Sequence, residues 1–252
     1  MLELILPAAV ASAESFADVS ESTLLPAELE ALGGARHEGR RREFTTVRHC
    51  ARRALAEIGV PPVAVLPGER GAPVWPRGVV GSMTHSAGYR AAAVARSTDV
   101  RAVGIDAEPH EALPPRVRGA VTLPEERERL ADLAADCPHV HWDRLLFCAK
   151  EAVYKAWFPM TGRRLGFTDA SVAFDPAAGT FRAEIVGRAG AAGAAERTGA
   201  GERIGTGEPP APLLYEGRWA ATAGLLLAAV VVPPAPPSGI GRIAPSGRRV
   251  ER

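Results

Sequence analysis

The sequence predicts a mixed α/β (α+β) protein on three observations. Helix and strand signals alternate along the chain, two long stretches carry apolar residues at helical spacing, and short apolar runs are punctuated by glycine and proline. Met1 to Ser15 is apolar, but Glu3 stands where a secretory signal needs positive charge, so it reads as the first strand of a cytoplasmic protein. From Arg36 to Ile58 the residues Phe44, Val47, Ala51, Ala54, Leu55 and Ile58 recur at helical spacing, and Gly59 with Pro61 and Pro62 ends the run. Residues 63–66, 79–84, 91–95 and 100–107 are β-type runs. Thr122 followed by Glu125 reads as a capping box with Pro124 in the first turn, opening a helix to about Ala135. A second long helix runs from about Asp143 to Phe158, with Pro159 as its stop. Residues 171–175 and 180–186 read as a hairpin, and 213–219 with 222–232 as two closing strands.

Composition narrows the function classes. With 30 basic and 29 acidic side chains the net charge is +1, which removes the strong positive field of a protein that binds nucleic acid by bulk charge. The longest apolar run, Gly224 to Val232, is too short to span a bilayer and reads as a buried strand. Cys50, Cys137 and Cys148 show neither metal-ligand spacing nor an even count, so they are expected to be buried thiols. Arginine supplies all but two of the 30 basic side chains, the exceptions being Lys150 and Lys155. A codon-biased genome is the ordinary explanation of the arginine excess; since a compact ammonium and a planar guanidinium are different tools, a lysine kept in such a chain is a candidate for a position where arginine does not serve.

Two segments are rich in glycine and proline. Residues 187–212 hold ten of the two types and residues 233–252 hold eight, and both are expected to be flexible or disordered. The remainder suffices for one large domain or two of about a hundred residues each.

Three constellations carry chemistry. In Val103-Gly104-Ile105-Asp106-Ala107-Glu108 the period of a strand puts Val103, Ile105 and Ala107 on one face and Gly104, Asp106 and Glu108 on the other. Two neighbouring carboxylates repel unless a cation lies between them, and a hard divalent ion such as Mg²⁺ takes oxygen ligands of this kind. The ordinary alternative is a solvent-facing strand end with two incidental acids. In Lys150-Glu151-Ala152-Val153-Tyr154-Lys155, Glu151 and Lys155 share a helix face, which also suits a plain surface ion pair. If Glu151 meets Asp106 and Glu108, three acids and a cation with lysines at the rim would grip a pyrophosphate. In Gly81-Ser82-Met83-Thr84-His85-Ser86, a hydrolase would use Ser82 and His85, but the spacing departs from the nucleophile-elbow pattern and better suits phosphate or nucleotide binding. No Walker or Rossmann glycine motif is present, which disfavours an ATPase or a nicotinamide enzyme.

Together these segments resemble the 4′-phosphopantetheinyl transferases of the surfactin-synthetase-activating type, in particular their actinobacterial branch. The matches are Arg40 to Arg53 (RRREFTTVRHCARR), Gly71 to Pro76 (GAPVWP), Gly81 to Tyr89 (GSMTHSAGY), Val103 to Pro109 (VGIDAEP) and Phe147 to Phe158 (FCAKEAVYKAWF) running into Leu165-Gly166-Phe167. The resemblance implies an enzyme that moves the phosphopantetheine arm of coenzyme A onto a serine of an apo acyl or peptidyl carrier protein and releases 3′,5′-ADP. It implies two similar α/β subdomains with pseudo-twofold symmetry and coenzyme A in the cleft between them. The expected division is 1–105 for the 3′-phosphate and adenine side, 106–232 for the metal and catalytic helix, and 233–252 as a tail. Asp106, Glu108 and Glu151, with Ala107 between the first two, match the ligands of Mg²⁺ (or Mn²⁺). Glu151 also matches the group that deprotonates the carrier serine, and Lys155 the one that contacts the pyrophosphate and assists the leaving group, with Lys150 beside it. Arg40, Arg48 and His85 match positions that hold the 3′-phosphate, and Thr84 and Ser86 the adenine-side loop. Relatives have a lysine where this chain has Pro67, so Arg70, next to Gly71, is the candidate replacement. The resemblance implies a cytoplasmic monomer serving fatty-acid, polyketide or nonribosomal-peptide pathways, with no nucleic acid or membrane partner. A non-catalytic coenzyme A or nucleotide binder of the same fold is the alternative of a different class.

Overall fold

The computed structural model describes residues 1–33, 37–86, 88–186 and 211–234. Residues 187–210 and 235–252, nearly all of the two glycine- and proline-rich segments, lie outside the described residues, as does Arg36. In chain order the elements are β1 (Ala11–Ser15), α1 (Pro26–Leu32), α2 (Glu38–Glu57), β2 (Leu66–Pro67), β3 (Pro73–Val74), β4 (Val79–Ser86), β5 (Tyr89–Arg96), β6 (Ala102–Pro109), α3 (Pro115–Val121), α4 (Pro124–Asp136), α5 (Trp142–Thr161), β7 (Ala170–Asp175), β8 (Thr180–Ile185), β9 (Leu214–Thr222) and β10 (Leu225–Val232).

The strands form a sheet in the order β1-β5-β4, a second in the order β6-β10-β9-β8-β7, and a short ladder of β2 with β3. The path repeats. In each half a strand, a 20-residue helix and a hairpin follow one another (β1, α2, β4, β5; then β6, α5, β9, β10), and the last strand inserts between the other two. The expected pair of similar subdomains is therefore present, with β7 and β8 added to the second.

Layering follows from which strands are apolar on both faces. Ala91, Ala93 and Ala95 of β5 pack with Val103, Ile105 and Ala107 of β6 and Leu225, Leu227 and Ala229 of β10, a core between the sheets. The intervening Ala92 and Val94 meet Cys50, Ala51, Ala54 and Leu55 of α2. Leu226, Ala228 and Val230 meet Leu145, Ala149, Ala152 and Val153 of α5. The order of layers is thus helix, sheet, sheet, helix, and the unbroken apolar runs of β5 and β10 belong to the central strands. The alternation expected for β6 holds. Gly104 is the contact that lets α5 lie on β6, since a Cβ there would stand 1.9 Å from the carbonyl oxygen of Ala152.

Several local expectations are corrected. Only Ala11–Ser15 of the N-terminal stretch is a strand, and Leu2–Leu4 is a 3₁₀ turn with Leu2 buried. The helix after Thr122 is capped by Glu126, whose Oε2 accepts the N–H of Leu123 at 2.8 Å. Pro124 takes the first helical position, which moves the cap to Leu123 and the reciprocal acid from Glu125 to Glu126. Pro159 does not stop α5. It removes one hydrogen bond, and the helix continues to Thr161, ending at Gly162 in the left-handed region (φ 62°), where the Gly162 N–H reaches the Phe158 carbonyl. Of 63–66 only Leu66 is in a strand. Cys50 and Cys148 are buried, but Cys137 is half-buried. Among the described residues no helix is long and apolar enough to cross a membrane.

Candidate active site

The two halves meet at β4 and β6, edge strands of different sheets. No ladder joins them there. The N–H groups of Ile105 and Ala107 instead donate to the hydroxyls of Ser82 and Thr84, each at 3.1 Å. Residues two apart on one strand serve residues two apart on the other, so the period of two on both strands sets this seam. All of Ala102–Pro109 pairs with β10, so the cut expected at 105/106 lies within β6.

Ser82 is 2 % exposed and its oxygen is the acceptor for Ile105. That is a structural post rather than a nucleophile. Ser82→Ala is expected to retain the activity of the site while losing about 1–3 kcal/mol of stability, because the Ile105 N–H loses its acceptor. Denaturant unfolding with a parallel activity assay checks both. Thr84, expected beside an adenine, is likewise buried; its hydroxyl donates to Asp106 Oδ1 at 3.1 Å.

Above the seam lies a cleft of about 840 Å³ whose walls include Arg40, Glu43, Arg48, His85, Asp106, Glu108, Glu151, Tyr154 and Lys155. The structure thus brings together residues that span more than a hundred positions of chain. Asp106 is buried, its Oδ1 accepts Lys155 Nζ at 2.7 Å, and its Oδ2 is buried without a hydrogen-bond partner. Lys155 Nζ also donates to the Ile105 carbonyl at 3.1 Å. Burial raises the pKa of Glu151, and the charges of Asp106 and Glu108 push the same way against Lys155. Burial also raises that of Glu108, with Asp106 assisting and Arg144 opposing. The three acids therefore feel one another, as the alternation of β6 and the helical face of α5 implied. Ala107 donates its N–H toward β4, so its carbonyl points off β10 to the same side.

The opposite wall collects cations from α2. Arg48 is buried, donating Nε to the Val65 carbonyl at 2.8 Å with its guanidinium 3.2 Å from the Phe44 ring centroid. Burial lowers its pKa to about 10. Arg40 is exposed, its Nη1 3.5 Å from His85 Nε2, while Glu43 Oε2 lies 3.6 Å from His85 Nδ1. Burial, Lys155, Arg40 and Arg90 lower the His85 pKa against the pull of Glu43. Ser86 closes β4, its carbonyl accepting from Arg90. Arg70 and Gly71 sit on the β2–β3 turn with positive φ values of 54° and 78°; both line the cleft, and Arg70 also lines an adjoining cavity of about 390 Å³ with Glu151, Tyr154, Arg164 and Phe167.

Lys150 does not line the main cleft, and borders only the adjoining cavity. It is 3 % exposed, and its ammonium donates to the Val121 carbonyl (2.8 Å), Glu126 Oε2 (2.7 Å) and the Phe167 carbonyl (2.8 Å), so all three protons are committed to neighbouring backbone and Glu126. Sequence reading missed Glu43, Glu126 and Arg144. Glu43 stands one helical turn after Arg40 and Arg144 two turns before Glu151, spacings that place each on the face of its better-marked neighbour.

As for a divalent ion, among the described residues no three His, Cys, Asp or Glu side chains converge as one ligand set. Lys155 takes Asp106 Oδ1 and Arg144 takes Glu108 Oε2. The donor set nevertheless fits a hard cation: three carboxylates in electrostatic contact, two of them destabilised by burial, and an orphaned buried oxygen on the third.

Comparison with known proteins agrees with this geometry. The model of the 4′-phosphopantetheinyl transferase N-terminal domain matches residues 30–95, and that of the 4′-phosphopantetheinyl transferase superfamily matches residues 102–196. The chain is 46 % identical to 4′-phosphopantetheinyl transferase Svp of Streptomyces mobaraensis, over 98 % of this chain and 94 % of that one. It is 49 % identical to Npt of Nocardia iowensis (91 % and 99 % covered) and 48 % identical to PptT of Mycobacterium tuberculosis (90 % and 96 % covered). With this identity running through both halves of the cleft, the chain belongs to the 4′-phosphopantetheinyl transferase superfamily.

Proposed function

We infer that this enzyme transfers the 4′-phosphopantetheine group of coenzyme A to a serine of apo acyl or peptidyl carrier proteins, releasing 3′,5′-ADP, with Mg²⁺ or Mn²⁺ bound. The observation that carries the reading is the meeting of Asp106, Glu108, Glu151 and Lys155 at one cleft between the two halves of a chain of this family. Asp106, Glu108 and Glu151, with the carbonyl of Ala107, would hold the divalent ion. When bound, it supplies charge neutralisation on the pyrophosphate oxygens.

The chain's own groups account for the rest. Glu151 accepts the proton of the carrier serine, directly or through a water. The serine oxygen then attacks the phosphorus that carries the pantetheine arm, and the bond from that phosphorus to the oxygen of 3′,5′-ADP breaks. Lys155, freed from Asp106, neutralises the charge that develops on the leaving oxygen. Arg40, Arg48 and His85 hold the 3′-phosphate at the α2 end, with Arg70 and Gly71 on the overhanging turn and Ser86 near the adenine. This binding fixes the in-line geometry that the displacement needs.

The non-catalytic alternative is not favoured, since the relatives that match over nine-tenths or more of this chain are 4′-phosphopantetheinyl transferases. We read the protein as cytoplasmic and monomeric, as the resemblance implies, and as one that approaches acidic carriers by local charge complementarity. Incubation with coenzyme A, Mg²⁺ and a panel of apo carriers, followed by intact-mass measurement, tests the assignment. The expected result is a carrier gaining one phosphopantetheine; coenzyme A binding with no adduct on any carrier would establish the non-catalytic reading instead.

A further inference from the structure

We propose that Arg144 is a positioning residue for the cation end of the active site, acting through Glu108; the proposal rests on the transferase reading above. Arg144 lies in the first turn of α5 and its side chain is 12 % exposed. Its Nη1 donates to Glu108 Oε2 at 2.9 Å. Its Nε donates to the Glu111 carbonyl at 3.2 Å, and its Nη2 to Glu111 Oε1 at 3.3 Å and the Ala112 carbonyl at 3.2 Å. One guanidinium thus ties the last acid of β6 to the segment that leaves the strand and to the helix that carries Glu151. Asp143 reinforces the clip, its Oδ2 accepting the Leu113 N–H at 3.2 Å.

The need for such a clip follows from where Glu108 sits. Asp106 is buried mid-strand and held by Thr84 and Lys155, whereas Glu108 is next to the end of β6 and has a longer side chain. Without an anchor its carboxylate would have to be ordered each time a cation bound. Arg144 engages Oε2, and its planar fork reaches main-chain oxygens that a lysine's single nitrogen cannot reach together.

Two effects of Arg144 on a cation oppose each other. Its positive charge repels the ion, while its clamp spares the cost of fixing a ligand. We assign the larger share to the clamp, since loss of an outer-shell partner of a metal ligand commonly weakens binding about 10–100-fold. The sign of the measured change therefore decides. In Arg144→Gln, Mn²⁺ binding to the protein without substrates, followed by electron paramagnetic resonance of free Mn²⁺, is expected to weaken about 10-fold or more. The Mg²⁺ concentration for half-maximal transfer should rise in parallel, while KM for coenzyme A and kcat at saturating Mg²⁺ stay within about twofold. Arg144→Lys, which keeps the charge and one contact, should fall between Gln and wild type. Glu111→Ala, which leaves the Glu108 contact intact, should change Mn²⁺ binding less than about twofold. Unchanged or tighter Mn²⁺ binding in Arg144→Gln overturns the proposal alone; a wild-type protein that binds no Mn²⁺ and transfers without divalent ions overturns the cation reading with it.

Discussion

Glu151→Gln is expected to lower holo-carrier formation by about 10²–10⁴-fold, the usual worth of a positioned general base, while leaving the fold at least as stable as wild type near neutral pH. The stability half follows from the direction of the shift. Burial, and then the charges of Asp106 and Glu108, raise the Glu151 pKa above its ordinary 4.5 despite Lys155. The unfolded chain therefore releases this proton at lower pH than the folded one does. Between those two values the folded state binds more protons, so stability falls as pH rises through that window, and the loss is fully present above it. Glutamine carries no charge and avoids the loss. Thermal midpoints taken with a chelator present should place the Gln variant at or above wild type at pH 7.5, and the difference should shrink toward zero as pH drops below 4.5. Intact-mass assays of the same preparations give the activity half. A variant that unfolds earlier at pH 7.5 would show Glu151 to be a structural anchor, and one that transfers normally would remove it from proton transfer.

That a residue should be unfavourable for folding and needed for turnover is consistent with how the site is built. Asp106 has an unpartnered buried oxygen, and Glu108 and Glu151 are both held against burial. Such groups are tolerated because the surrounding cores, sheet against sheet and helix against sheet, are closely packed and apolar. The strain is local and the support is distributed.

Much of this was legible in the sequence, and the reason is periodicity. A strand period of two on β6 separates Asp106 and Glu108 from Ile105 and Ala107 without any structure, whereas the use of Gly104 shows only once α5 lies on it. A helix period of 3.6 puts Glu151 and Lys155 within about 40° of each other. What adjacency in sequence hides is direction. Lys150 and Lys155 flank Glu151 in the chain, but five residues turn a helix through about 500°, so the two lysines point about 140° apart and serve different neighbours. The same arithmetic brings Arg144 to within about 20° of Glu151, and a reading confined to the conspicuous K-E-x-x-x-K motif passes over it. Pro159 and Thr122 misled for another reason. Both are local signals, and tertiary packing of α5 on β6 and the cap from Glu126 outweighed them. The repeat of strand, helix and hairpin belongs to layer geometry rather than to particular residues, so it is read from the topology and not from the sequence.

The two lysines then call for opposite outcomes. Lys150→Ala is expected to cost about 3–5 kcal/mol, since it leaves the fully buried Glu126 carboxylate and two carbonyls without their cation. At roughly 2–4 °C per kcal/mol for a chain of this size, the thermal midpoint should fall by about 6–20 °C. Lys150→Arg keeps the charge but should still destabilise, because three acceptors from α3, α4 and the segment before β7 converge on one nitrogen, which a planar fork cannot occupy. Lys155 is a quarter exposed and the Thr84 hydroxyl stays on the buried Asp106 carboxylate when the lysine is removed, so Lys155→Ala should lower the midpoint less than Lys150→Ala does. Its loss should appear in turnover, through the charge it brings to the leaving oxygen. Differential scanning calorimetry and single-turnover transfer on the two alanine variants separate the roles. A Lys150→Ala protein with a wild-type midpoint and defective transfer would return Lys150 to the pyrophosphate. The expected result makes the two surviving lysines of an arginine-rich chain into one residue for the fold and one for the chemistry, kept for the same property, a compact ammonium that several oxygens can share.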